Sequence, residues 1–450
     1  AKRDGGRSPP GARATMKLAA VKGMRDLLPA DTRWFQQLEA TVRSVFALYN
    51  FEEIRTPIVE PAALFQRAVG AETDIVGKEM YTFADRDGAE LTLRPEATAS
   101  AVRAYVEHRL WLQPGLTRLY YMGPMFRRER PQKGRYRQFY QVGAEVLGSA
   151  AEGAGDAWVD FELLAMLRLL LERCGISGWE LVINSVGCAL DRPAYHAALR
   201  AALAPQLPNL CGDCQRRAAT NPLRVLDCKV PADQPIIELL PGIFDYLEDN
   251  CRRHFNELRQ LLEAGGIAYR IDQRLVRGLD YYTSTAFEFV HGALGSQNAL
   301  LGGGRYDGLA QALGAPAQVD SAIGFALGED RFVLAMQAAG AAMAAELTPQ
   351  RQLAAVVLPL QPAQLAAGLA LADRLRRQGV RLELAPPARK LGRSLELAAK
   401  LGAAAAVLVG EAELASQRYG LKWLATGEQT SLDEGALACA LARAPQEPVP

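Results

Sequence analysis

Only four histidines (His108, His196, His254, His291) occur in 450 residues, and their spacing forms neither a metal-binding set nor a nucleophile pair. Seven cysteines are too few, for a chain of this length, to make a disulfide framework, which points to a reducing compartment. No apolar run approaches the ~20 residues that span a bilayer, so the expectation is a cytoplasmic protein without a membrane partner. The first ten residues are polar, rich in Gly and Pro, and lack the apolar stretch of a signal peptide. A disordered tail is expected over residues 1–15, with Met16 an alternative start. Formal net charge is only +1, so any contact with nucleic acid has to come from local patches.

What the chain does have is ample apolar material. Hydrophobic residues make up 49% and charged residues 22%, the profile of a globular protein, and the length implies two or three domains. From Trp34 to Tyr49, the residues Phe35, Leu38, Val42, Val45, Phe46 and Tyr49 fall at helical spacing, with Asn50 as the stop. A second helix is expected from about Asp160 to Cys174, closed by Gly175. Short β-rich runs occupy 119–126, 138–147, 180–186, 269–276 and 285–290. Strands separated by turns, with helices gathered apart from them, predict an α+β domain built on an antiparallel sheet with flanking helices. Residues 189–250 are helix-prone, broken by prolines, and read as a helical insertion. Beyond about Ala345 the composition shifts to Ala and Leu. Strand-like and helical runs alternate there (354–360, 363–378, 380–385, 393–401, 404–410), which predicts a separate α/β domain with a mainly parallel sheet.

Chemistry concentrates in a few tracts. Phe126–Phe139 carries six Lys or Arg residues between two expected strands. A run of cations by itself is usually a solvated loop. Flanking strands and a Pro-x-Lys-Gly turn favour a loop that faces phosphates, because guanidinium groups fork onto phosphate oxygens. Gly324-Phe325-Ala326-Leu327-Gly328-Glu329-Asp330-Arg331 is a glycine-punctuated strand entering a helix, with Arg331 in the first turn. Together the two tracts supply arginines, Arg127 and Arg331, able to clamp a triphosphate. Arg277-Gly278-Leu279-Asp280-Tyr281-Tyr282 is either a β-turn with a structural Arg–Asp pair or part of a site. Gly302-Gly303-Gly304-Arg305-Tyr306-Asp307-Gly308 is either a flexible loop or a wall over a substrate. Gln141 and Glu145 lie four apart and face one side of a strand, where an amide and a carboxylate can read an imidazole N–H or an ammonium group. Cys211-x-x-Cys214 and Cys228 resemble three zinc ligands, with Cys251, His196 or His254 as conceivable fourth donors. The second half of a paired C-x-x-C pattern is missing, so free thiols and no metal are expected.

Taken together, these tracts resemble the bacterial histidyl-tRNA synthetases, over nearly the whole chain from Lys22 to Leu441. Phe51–Pro57 resembles the class II dimer-interface motif, Phe126–Phe139 the second class motif and Gly324–Arg331 the third. Arg277–Tyr282 and Gly302–Leu309 resemble signatures specific to the histidine enzyme. The resemblance implies a class II catalytic domain over 16–345, an anticodon-binding domain over 350–450, and a homodimer. It implies ATP with Mg2+, histidine and the tRNA for histidine as substrates. Arg127, Glu129 and Arg331 would bind ATP, and Arg277 and Arg127 would be catalytic. Glu96 and Thr98 would hold the α-amino group, and Gln141, Glu145, Tyr282 and Tyr306 the imidazole, with Arg277 beside the carboxylate. Arg130 and Gln132 would approach the tRNA acceptor end. Departures from the pattern are Ala97 for the usual Gly, Arg128 for a frequent His, and the acidic pair Glu329-Asp330. The alternative is a non-charging, histidine-binding regulatory subunit of ATP phosphoribosyltransferase, which needs neither the basic loop nor an anticodon domain.

Overall fold

The computed structural model describes residues 18–70, 73–132, 134–292, 298–343, 353–387 and 390–442. The tail expected over residues 1–15 lies outside them. Two compact units divide the chain, Ala1–Ala342 and Met343–Pro450.

In the first unit the helix Pro29–Leu48 begins with proline in its first turn, where no amide hydrogen is needed, and Asp31 follows near the positive end. Phe35, Leu38, Val42, Val45 and Phe46 form its buried stripe, as their spacing predicts. Phe46 meets Tyr120 and Phe325 edge-on, with ring centroids 5.4 and 6.0 Å away, which seats the helix on the sheet. Asn50 then adopts a left-handed conformation (φ 59°) and ends the run. The helix Ala157–Arg173 joins the same core through Leu163, Leu164, Leu167, Leu170 and Leu171, and Gly175 (φ 70°) turns the chain out of it.

Eight strands form the main sheet, in the order Glu52–Glu53, Thr117–Phe126, Gln138–Gly148, Ser321–Gly328, Ala299–Arg305, Thr283–His291, Trp179–Ser185, Tyr269–Ile271. The six central strands are antiparallel, as expected, and only the pair at each edge is parallel. Thr117–Phe126 and Gln138–Gly148 form a hairpin ten pairs long, and the basic tract closes its end. Two expectations change. The strand expected to reach Val276 stops at Ile271, because the Asp272 carboxylate accepts the Arg274 N–H (3.0 Å) and turns the chain. Gly302-Gly303-Gly304 is not a loop but the centre of an interior strand, pressed between Thr283–His291 and Ser321–Gly328. A methyl group on Gly303 would collide with the Gly324 carbonyl, so strand packing itself demands glycine there.

Between residues 189 and 250 the chain makes short helices (Arg192–Leu203, Gly212–Thr220, Gln234–Ile237) separated by 3-10 turns. Tyr195, Leu199, Cys214, Val225, Ile237 and Ile243 give this segment a core of its own.

The second unit holds a five-stranded sheet ordered Leu382–Leu384, Ala355–Pro359, Ala405–Val409, Tyr419–Trp423, Gln429–Leu432. Its first three strands are parallel, and Ala355–Pro359 and Ala405–Val409 are buried along their whole length. The last two form an antiparallel hairpin turned at Gly427 (φ 76°), which makes the sheet mixed rather than mainly parallel. Among the described residues, no helix is long and apolar enough to cross a membrane.

Candidate active site

One end of the site is built around a buried carboxylate. Glu145 lies within the Gln138–Gly148 strand, paired with Leu119 on one side and Gly324 on the other. Its Oε1 accepts hydrogen bonds from Thr98 Oγ1 (2.7 Å) and Tyr121 OH (3.0 Å), and its Oε2 from Tyr306 OH (2.5 Å). Two glycines make the room. A Cβ at Gly324 would strike the Glu145 carboxylate, and one at Gly143 would strike the Tyr121 hydroxyl. Burial pushes the Glu145 carboxyl up to about 8, against the pull of the three hydroxyls. Tyr121 and Tyr306 are pushed well above the usual phenol range by burial and by Glu145, so both remain donors. An ionised carboxylate has about four acceptor positions. Three hydroxyls fill three, which leaves one on Oε2 for the N–H of a ligand.

Beside it, the helix Thr98–Glu107 starts with its first amides aimed at Glu96. The Glu96 carboxylate accepts the N–H of Thr98 (2.7 Å) and Ala99 (3.0 Å), so a side chain two residues upstream satisfies the helix end. Burial raises the Glu96 carboxyl, and those two amides oppose the shift. Gln141, on the same strand face as Glu145, is buried with its Oε1 lacking a protein donor among the described residues. A buried amide oxygen in that state is costly unless a ligand or water meets it.

The other end is a cleft of about 670 Å³ lined by seven cations: Arg127, Arg135, Lys229, Arg270, Arg274, Arg277 and Arg331. Three carboxylates, Asp227, Asp272 and Glu288, share its walls. Arg127 leaves the end of the 117–126 strand, donates Nε–H to the Pro95 carbonyl (2.8 Å) and stacks near the Phe139 ring. Arg331 sits in the first turn of the helix Glu329–Ala338, where burial and the neighbouring Arg135 charge push its guanidinium down. Such a group gains from a nearby anion. Glu129 is reached by Arg135 (3.4 Å). Arg130 and Gln132 are exposed on the loop, whose tip is closed by paired backbone hydrogen bonds between Gln132 and Arg135 (3.0 and 2.9 Å).

Arg277 joins the two ends. It pairs with Glu288 and lies over the Tyr282 ring (5.8 Å to the centroid). Tyr282 packs on Tyr281 (4.7 Å), which meets Tyr306 (5.5 Å), so a run of rings leads from the cleft to Glu145. Gly302 provides the space: a Cβ there would come within 2.6 Å of an Arg277 nitrogen.

The structure thus gathers Arg127, Arg277 and Arg331 along one cleft, and Thr98, Glu145 and Tyr306 in one hydrogen-bonded cluster. Sequence reasoning missed Tyr121, Tyr281 and Glu288. Tyr121 stands opposite Gly143 on the neighbouring strand, diagonal to Glu145, a relation that only the hairpin register reveals. In the Gly302–Leu309 tract the roles separate. Arg305 is buried and structural, bound to Asp160 (2.6 Å) and to the carbonyls of Ala154 and Asp156, while Tyr306 faces Glu145. His254 contacts that same Asp160 (2.9 Å), far in chemistry from a metal role.

Comparison with known proteins adds the lineage of this arrangement. The family profile described as "Histidyl-tRNA synthetase" matches residues 23–331, and that described as "Anticodon binding domain" matches 354–442. The chain is 54% identical over 427 residues to the histidine–tRNA ligase of Koribacter versatilis, covering 94% of this chain and 95% of that one. It is 52% identical to the histidine–tRNA ligase of Solibacter usitatus, over 94% and 99% of the two chains. Among solved structures, the apo histidyl-tRNA synthetase of S. aureus superposes with a TM-score of 0.76 at 33% identity, covering 95% of this chain and all of that one.

Proposed function

The chain belongs to the histidyl-tRNA synthetase family and is a class II histidine–tRNA ligase, and from that premise we propose how its residues divide the reaction. The observation that carries the reading is the direct link, through Arg277 and Tyr282, between a cation-lined cleft and a carboxylate–tyrosine pocket.

ATP, delivered with Mg2+ as the substrate complex, occupies the cleft. Arg127 and Arg331 hold the phosphates, and Glu129 meets the adenine end. Histidine enters the pocket with its imidazole N–H on the open position of Glu145. Once ionised, Glu145 gains the partner that burial withholds from it, and Tyr306, Thr98 and Tyr121 keep it fixed. Gln141 and Tyr282 complete the imidazole wall, and Glu96 with Thr98 meets the α-amino group. The histidine carboxylate then attacks the α-phosphorus, pyrophosphate departs, and histidyl-adenylate remains. Arg277 acts where negative charge gathers on the α-phosphate oxygens, worth more there than in water because the site is walled by protein. In the second step the terminal ribose hydroxyl of tRNA attacks the activated carbonyl and AMP leaves.

The exposed Arg130 and Gln132 approach the acceptor end, and the C-terminal unit takes the anticodon. A homodimer is supported by the short edge strand Glu52–Glu53, followed by exposed Ile58 and Val59. A cytoplasmic location follows from the activity. The regulatory-subunit alternative gains nothing from the 22%-identical match to a Bacillus halodurans protein described as a regulatory subunit/histidyl-tRNA synthetase, which shares the fold.

This division of labour separates the two steps experimentally. Arg130→Ala should leave histidine-dependent pyrophosphate exchange within about twofold of wild type and raise the KM for tRNA about tenfold, since one lost phosphate contact weakens binding without touching the first step. Steady-state aminoacylation beside exchange checks it. A large loss of exchange would place Arg130 in the ATP site instead.

A further inference from the structure

Outside this site, the folded 189–250 segment brings together Cys211, Cys214, Cys228 and Asp233, whose donor atoms all lie within 4.8 Å of one another. The sulfurs of Cys211 and Cys228 are 3.9 Å apart, and Cys228 Sγ is 3.3 Å from Asp233 Oδ2. A tetrahedral zinc ion with Zn–S of ~2.3 Å and Zn–O of ~2.0–2.2 Å sets edges of about 3.8 Å between sulfurs and about 3.5 Å between sulfur and oxygen. The observed separations match those edges and are far from the ~2.05 Å of a disulfide. All three thiols are free.

The geometry points to a structural zinc site made by Cys211, Cys214, Cys228 and Asp233. The carboxylate is an independent argument. Asp233 is almost inaccessible to solvent, and among the described residues it pairs with no cation; its oxygens accept the Cys211 N–H (3.1 and 3.3 Å) and hydrogen bonds from the Cys211, Cys214 and Cys228 thiols. A carboxylate turned onto three thiols completes an S3O donor set, and a divalent ion would take the place of the thiol protons. Supporting hydrogen bonds are already placed: the Val230 N–H donates to Cys228 Sγ (3.4 Å), and the Cys211 N–H orients Asp233. Three sulfurs favour zinc over magnesium or calcium. Half-buried Cys211 leaves an entry path, whereas Cys214 and Cys228 are buried.

Cysteine spacing reveals three of the four donors and conceals the last. Asp233 lies in no cysteine or histidine pattern. Two of the three donors that spacing offered go elsewhere: Cys251 joins Cys188 and Asp191, and His254 contacts Asp160. That second group is a weaker candidate, because Asp191 spends its oxygens on the N–H of Cys188 and of Glu248 (both 2.6 Å).

The ion would brace the active site. Between its ligands the chain carries Arg217, bonded to Asp74 (3.0 Å), Asn221, bonded to Asp280 (2.9 Å), and Arg224, bonded to the Gly278 carbonyl (3.0 Å). Asp280 and Gly278 belong to the tract that presents Arg277, and Leu226–Lys229 lines the cation cleft. Zinc would therefore fix one wall of the cleft without touching substrate.

The test uses the full chain, purified under reducing conditions without chelator from zinc-supplemented cells. Metal analysis should give about one zinc per chain. Exchange into Co2+ should produce thiolate-to-cobalt charge-transfer absorption. Cys211→Ser, chosen because its side chain is only half-buried, should stay folded by circular dichroism and lose most of the metal. Asp233→Asn should weaken retention in the same direction. Substoichiometric zinc with no cobalt absorption, full retention in folded Cys211→Ser, or a native Cys211–Cys228 disulfide by mass spectrometry would each overturn the proposal. Metal content is read independently of ligase activity, so its failure and that of the functional reading are distinguishable.

Discussion

Arg277→Ala should lower histidine-dependent ATP–pyrophosphate exchange by about 10³-fold, the loss typical of removing one charge-stabilising donor from a walled site, while the protein stays folded. The arginine is placed by three devices. Glu288 pairs with it, the Tyr282 ring lies beneath it, and Gly302 vacates the space it fills. Its removal leaves Glu288 only half-buried, so water can solvate that carboxylate and the fold survives. Arg277→Lys keeps the charge but loses the planar fork, and exchange should recover only in part. Exchange assays beside thermal melts decide the matter; near-normal exchange in a folded Arg277→Ala protein would remove this residue from the chemistry.

The second large effect is expected at Glu145. Glu145→Gln should raise the KM for histidine about 10²-fold, because a site built to pair buried polar groups loses most when one acceptor becomes a donor. An amide offers one oxygen where Tyr306, Thr98 and Tyr121 now donate to two. A separate signature comes from linkage. The folded carboxyl, at about 8, lies above its ordinary value of 4.5, so its contribution to stability is complete below about 4.5 and is lost as pH rises through about 8. The ligand-free wild type should therefore lose melting temperature more steeply than Glu145→Gln between about pH 5 and pH 8. Parallel curves would show that Glu145 is already ionised in the empty pocket.

The sequence was most legible where a repeating physical constraint acts on the chain. The buried stripe of Pro29–Leu48 and the long hairpin around the basic tract follow from periodicity alone. The four-residue spacing of Gln141 and Glu145 also puts both on one strand face. Legibility failed where the deciding partner is distant in sequence. Gly302-Gly303-Gly304 resembles a flexible loop by composition, yet the glycines serve close strand packing and the Arg277 side chain. Tyr121 is an ordinary strand tyrosine until the register sets it diagonal to Glu145. The hairpin Tyr419–Trp423 and Gln429–Leu432 escaped notice although Tyr419, Leu421 and Trp423 alternate with Gly420 and Lys422, because its strands are only five and four residues long. Asp233 shows the same limit for metal chemistry: an aspartate joins three cysteines only after the intervening turns fold.

The most direct measurement is ATP–pyrophosphate exchange by the purified protein with each of the twenty amino acids in turn. Exchange with histidine alone is the predicted result, since the single open position on Glu145 selects a side-chain N–H and the cleft supplies the phosphate clamp. Absence of exchange with histidine, in a protein that binds it tightly, would contradict the account and leave a histidine sensor in its place.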